Sequence, residues 1–138
     1  MRVKLERIGV QTRGIGDFVE VTVQVADIVA RAGIGEGIAL VRSRHTTAAI
    51  TCNEPDSRLH ADMMDALYAA FPKDRPYRHI EEGPENAVAH IAVSMLFGES
   101  TWLPVRDGKL DPGTWQHVYL VELYEPRRRE IDVAIIGE

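Results

Sequence analysis

Apolar and polar positions alternate with a period near two over residues 2–12 and 17–21, predicting two strands joined by the turn Gly14-Ile15-Gly16-Asp17. The period then lengthens. Val25, Ile28, Val29 and Ala32 have helical spacing, with Thr22 as a cap and Gly33 as the stop, although the β-branched Val21, Val23 and Val25 favour an extended strand over the same stretch. Gly35 and Gly37 lead into two short runs of strand formers, Ile38–Arg44 and His45–Cys52. Asp56 caps a clearer helix whose apolar residues Leu59, Met63, Leu67 and Phe71 recur every fourth position, with Pro72 just beyond its end. After a polar, irregular stretch from Lys73 to Glu82, Pro84 opens another helix and Gly98 lies past its end.

Strands return in the last third. Thr101–Arg106 runs into Asp107-Gly108, the dipeptide of a tight hairpin. Thr114–Glu122 and Glu130–Ile136 are expected to form a final pair joined by Pro126-Arg127-Arg128-Arg129. Strands, then two neighbouring helices, then strands again predict an α+β fold, with sheets packed by about three helices in one domain over residues 1–138.

The length of 138 residues fits one domain with a core of its own. A net charge of -5 gives no basic surplus for general nucleic-acid binding. Cys52 is the single cysteine, which excludes an intrachain disulfide and a multi-cysteine metal site; its apolar neighbours make it a packing residue. No run reaches membrane-spanning length, and the N-terminus lacks the apolar core of a secretion signal, so a cytoplasmic location is expected.

Chemistry concentrates around Ala87–Phe97, a segment apolar on nearly every helical face except at His90 and Ser94, with Asn86 one turn earlier on the same stripe. A histidine buried there needs a hydrogen-bond partner or a ligand. Two segments offer company: His45-Thr46-Thr47 followed by Asn53-Glu54, and Tyr77-Arg78-His79 just before Glu82-Gly83-Pro84. Three histidines with a carboxylate suit a divalent metal, or binding and protonation of a phosphate ester, and the helix entry at Glu82-Gly83 suits an anion. No HExxH, P-loop or GxGxxG motif sharpens the choice. His60 belongs to a charged helix face, His117 stands mid-strand beside Trp115, and Arg127-Arg128-Arg129 is expected to be solvated.

Taken in order, His45-Thr46-Thr47-Ala48, Asn53-Glu54, Tyr77-x-His79, Glu82-Gly83-Pro84-Glu85-Asn86-Ala87-x-Ala89-His90-Ile91, Pro104-Val105-x-Asp107-Gly108-Lys109-Leu110, Gly113-Thr114-Trp115-Gln116 and Pro126-Arg127 resemble the YjbQ-like family from about Ile8 to the C-terminus. The chain departs from the family pattern at His117 and at Tyr124-Glu125. The resemblance implies a β-sandwich core, a homotrimer, and a clustered site using His45, His79 and His90 with Asn53, Glu54 and Asn86 nearby. It also implies a thiamine-phosphate synthase reaction, in which a hydroxymethylpyrimidine diphosphate joins a thiazole phosphate and pyrophosphate leaves, commonly with Mg²⁺.

Three expectations follow. In the first, an enzyme acts on a phosphorylated heterocycle: His45 or His79 is the acid or phosphate ligand, Asn53 and Asn86 orient, Thr46 and Thr47 bind, and Trp115-Gln116 lines the pocket. In the second, His45, His79 and His90 hold zinc and Glu54 is the base of a hydrolase. In the third, a non-catalytic trimer binds a small anion through the same residues.

Overall fold

Arg129, Ile131, Val133 and Ile135 alternate with exposed or half-buried neighbours and are themselves 0–1% exposed, which makes the last strand the spine of the larger sheet. This is seen in a computed structural model describing residues 1–138. Strand β8 (Arg128–Gly137) lies between β1 (Arg2–Gln11) and β3 (Gly37–Ser43). On the far side of β3 come β5 (Ser100–Arg106) and the short β6 (Lys109–Leu110), giving a five-stranded antiparallel sheet in the order β1-β8-β3-β5-β6. Asp107 (φ 48°) and Gly108 (φ 73°) both take the left-handed conformation between β5 and β6, as the predicted hairpin requires.

A second sheet has the order β2-β7-β4, with β2 at Phe18–Glu20, β7 at His117–Glu122 and β4 at Ala48–Asn53. The expected pairing of the last two strands is therefore corrected. β7 and β8 belong to different sheets, and the chain crosses between them at Leu123–Arg127. Long-range partners outcompeted sequence neighbours because each strand finds a buried inner face only in its own sheet.

Helix α1 (Thr22–Ala32) forms despite its β-branched start, because Val25, Ile28, Val29 and Ala32 bury a continuous stripe in the core. Its N-cap residue is Val21; Thr22 instead accepts the Val118 N–H at 2.8 Å through Oγ1, tying the helix start to β7. Gly33 ends it in the left-handed conformation. The inner faces of both sheets and α1 share one 18-residue buried cluster, the β-sandwich-like core that was expected.

The other face of the three-stranded sheet is covered by α2 (Ser57–Ala70) and α3 (Pro84–Ala92), which build a smaller core around Leu67, Val88, Ala89, Val121 and Leu123. Asp56 caps α2 as predicted, accepting the Arg58 N–H at 2.9 Å. Helix α3 continues into a π-helical turn, Val93–Phe97, before Gly98. No helix is long and apolar enough to cross a membrane.

Candidate functional site

Pro84 at the first helical position and Gly83 (φ 95°) ahead of it set the start of α3, whose N-terminus has no side-chain cap. Asn86 is 3% exposed, and its Oδ1 has no hydrogen-bond partner. A buried acceptor left open costs roughly 1–3 kcal/mol unless a water or ligand donates to it. One turn on, His90 is half-buried and meets the exposed His79 with ring centroids 4.9 Å apart and planes at 89°. The two imidazoles line a cleft of about 310 Å³ together with Tyr77, Arg78, Ala87 and Ile91.

Tyr77 anchors the segment carrying His79. Its ring packs on the smaller core and its hydroxyl donates to the Pro72 carbonyl at 2.8 Å. Burial, and then the neighbouring His79, hold the His90 pKa below its ordinary value; Glu82 and the Thr46 backbone pull the other way. Thr46 thus places the loop after β3 against the His90 ring.

That loop is fixed by a buried charge network absent from the sequence reading. Arg129 donates to Glu122 through Nε (2.7 Å) and Nη2 (2.5 Å), and through Nη2 to Thr47 Oγ1 at 3.0 Å. Thr12 Oγ1 donates to Glu122 Oε1 at 2.6 Å, and the N–H groups of Leu123 and Tyr124 donate to Oε2. The Tyr124 hydroxyl then reaches the Glu82 carbonyl at 3.3 Å, beside the entry to α3. One ion pair therefore connects both segments that flank His90. Arg129 is 1% exposed, so its expected solvation is corrected; the alternation of β8 already assigns it to the inner face.

The predicted site residues separate into several places. His45 does not join the pair: its Nε2 accepts the Glu130 N–H at 2.8 Å, and its own N–H is held by Ser43 Oγ at 3.1 Å. Burial, and then Arg129, push the His45 pKa down. Asn53 and Glu54 sit at the opposite end of β4 from Thr47, roughly 20 Å away at 3.3 Å per residue, in a polar cleft with Asp56, Arg58 and Asp62. Ser94 is exposed on the π turn, where the stripe of α3 no longer runs straight. Trp115 is 67% exposed, and Gln116 closes its own turn by accepting the Gly113 N–H at 2.8 Å. Neither lines the histidine cleft.

A metal does not fit this arrangement. No three His, Cys, Asp or Glu side chains converge, so the expected zinc set of His45, His79 and His90 is corrected, and Glu54 is too remote to serve it as base. No pair of carboxylates stands in the cleft for Mg²⁺ either. His60, expected on an open charged face, is half-buried and stacks on Phe18 (4.2 Å, 2°) with its edge near Tyr119. His117 bonds through Nδ1 to Glu20 Oε2 at 2.8 Å.

Residues 6–138 match the family model described as "UPF0047 protein YjbQ-like". A UPF0047 protein of Methanothermobacter thermautotrophicus is 36% identical over 138 residues, spanning all of this chain and 95% of the relative. UPF0047 protein YugU of Bacillus subtilis is 31% identical across 96% of this chain and 99% of its own. Among solved structures, a YbjQ-like protein of unknown function from Sulfolobus solfataricus superposes with a TM-score of 0.90 at 36% identity, covering 99% of both chains. A yjbq/upf0047-family protein from Clostridium acetobutylicum gives 0.86 at 37% identity over 95% of this chain and 99% of that one.

Proposed function

The chain belongs to the YjbQ-like UPF0047 family, and on that footing we propose that it binds and acts on a small phosphorylated heterocycle at the His79–His90 cleft, as a thiamine-phosphate synthase-like transferase. The observation carrying this reading is the perpendicular imidazole pair one turn from the unpartnered, buried oxygen of Asn86. Asn86 Oδ1 is buried outside the cleft lining, so the surface offered to a heterocycle is that of His79, His90, Tyr77, Ala87 and Ile91. Arg78 supplies positive charge, and Arg78 and His79, both exposed at the cleft, offer hydrogen bonds to phosphate oxygens. His90, held toward its neutral form, is suited to orient a polar edge of the ligand.

In the implied reaction the thiazole nitrogen bonds to the pyrimidine methylene carbon, the carbon–oxygen bond breaks, and its electrons leave with pyrophosphate. The nitrogen loses no proton, so the demand on the protein is stabilisation of the leaving diphosphate rather than base catalysis. The family resemblance also supports a homotrimer and a small phosphorylated partner. Incubation with the two precursors, with and without Mg²⁺, tests the reading. Product formed by the wild type and lost in His79→Ala and His90→Ala is the expected result. Binding of pyrophosphate without product would favour the non-catalytic anion-binding reading, and neither binding nor product would overturn both.

A further inference from the structure

The lining of the histidine cleft carries one permanent cation, Arg78; its other polar groups are the rings of Tyr77, His79 and His90. A bound phosphate needs more countercharge than one exposed guanidinium gives. Mg²⁺, the usual source for a diphosphate, takes oxygen ligands, chiefly carboxylates and water. A phenol, a guanidinium and two imidazoles are the wrong donor set for that ion. The missing charge has to arise on a group that is neutral before the anion arrives.

His90 is built for that change. The Thr46 backbone accepts a hydrogen bond from its ring, so one ring N–H is spent and the second nitrogen of the neutral ring carries only a lone pair. A lone pair repels a phosphate oxygen, whereas a proton on that nitrogen makes it a charged donor. Thr46 and Glu82 both favour the charged ring; burial and His79 oppose it and leave His90 mostly neutral at pH 7 in the free protein. The other charges around the ring are already engaged. The Glu82 carbonyl takes the Tyr124 hydroxyl, and Arg127, paired with Glu125, acts on the Glu82 side chain. Glu85 on α3 holds Lys73 at 3.6 Å, and His45 is turned to the Glu130 N–H. His79 stands perpendicular to His90 at 4.9 Å, so one positive ring is accommodated there but two repel.

We propose that the cleft binds its phosphate group together with one proton, taken from solvent onto the second ring nitrogen of His90 as the anion arrives, with Arg78 and the His79 ring N–H completing the contacts. The proton supplies the countercharge that the lining cannot obtain by holding Mg²⁺. The magnitude is sufficient. An opposite charge within about 4–6 Å raises an imidazole pKa by roughly 1–3, enough to carry a ring that titrates below its ordinary value to one that is charged above pH 7. The half-buried setting of His90 strengthens the contact, because the ion pair is only partly screened by water. Occupation of the cleft is thereby tied to pH: a phosphate ester is held more tightly as the medium is acidified through neutrality and released as it turns alkaline.

This proton link rests on the cleft proposed above as the anion site, and sulfate separates the two because its own charge is constant from pH 5.5 to 8.5. Calorimetry of sulfate binding to the wild type at pH 7.5, in buffers of different ionisation enthalpy, should give uptake of about one proton per anion. Affinity should weaken by about tenfold from pH 7 to pH 8, the slope of one linked proton. His90→Gln keeps an amide donor but takes no proton, so its sulfate binding should be weaker at pH 7 and vary less than twofold with pH. If that variant does not fold, the proton count and slope of the wild type still decide. Ring resonances of the wild type locate the proton: those of His90 should move to the imidazolium position on adding sulfate at pH 7.5. Sulfate binding with no proton uptake and a flat pH profile would overturn the proton link and leave the cleft standing. Uptake located on His60 or His117, or pyrophosphate binding that gains tenfold with Mg²⁺ and takes up no proton, would also overturn it. Absence of sulfate and pyrophosphate binding across the whole pH range would overturn the cleft and the proton link together.

Discussion

Replacing Arg129 by Met should be among the most damaging single changes in the molecule. Glu122 is fully buried and Arg129 is 1% exposed, so Arg129→Met leaves a carboxylate in the interior without its cation. Removing one partner of a buried pair costs about 3–5 kcal/mol. The Thr12 hydroxyl and the Leu123 and Tyr124 N–H groups still solvate Glu122, which places the loss near the lower end, about 3 kcal/mol. Glu122→Leu leaves the guanidinium with Thr47 alone among these partners and should cost more, about 5 kcal/mol. The double variant Glu122→Leu/Arg129→Met removes both charges and should recover most of the loss. Urea denaturation at fixed protein concentration measures all three, read as midpoint shifts at constant slope. At about 4 °C per kcal/mol, Arg129→Met should also lower Tm by about 12 °C. A cost below 1 kcal/mol for Arg129→Met, or simple additivity in the double variant, would refute a buried, coupled pair.

Stability should also fall as the medium is acidified below about pH 6.5, the ordinary imidazole value. The folded-state pKa values of His45 and His90 are depressed, so the unfolded chain binds more protons as pH drops through 6.5 toward those values. The urea midpoint at pH 7.5 should exceed that at pH 5.5, and His45→Phe, which has no proton to gain, should flatten the difference. Asp56→Ala should lower the urea midpoint through loss of the α2 cap, with Asp56→Asn retaining most of it. Because the Asp56 pKa is held down to about 2 by Arg58, the charge part of that cap should persist until pH falls below about 4. Cys52 should react slowly with iodoacetamide at neutral pH, since burial raises its pKa, and Cys52→Ala should cost about 1 kcal/mol with no loss of ligand binding.

What the sequence made legible was local. The stops at Gly33 and Pro72, the Asp56 cap and the Asp107-Gly108 turn each depend on a few adjacent residues and stand where expected. Which strands pair is decided by distant partners: nothing around Pro126 announces that β8 enters one sheet while β7 stays in the other. Helix α1 shows the same limit, because the burial of Ile28 and Val29 between the sheets overrode the strand preference of Val21, Val23 and Val25. In the site, the stripe from Asn86 to His90 followed from helical spacing. The meeting of His90 with His79 rested on motif order alone, and the length of β4 separates Asn53 and Glu54 from both. Arg129 was readable from alternation with Ile131 and Val133, but the arginine run around it suggested solvent.

Calorimetric titration of pyrophosphate into the wild type, His79→Ala, His90→Ala and His60→Ala at pH 7 tests the central claim most directly. The cleft account predicts saturable binding to the wild type, at least tenfold weaker binding in His79→Ala and His90→Ala with the fold intact by circular dichroism, and no change in His60→Ala, whose ring stacks on Phe18 outside the cleft. Undiminished binding in folded His79→Ala and His90→Ala, or no binding by the wild type, would contradict it.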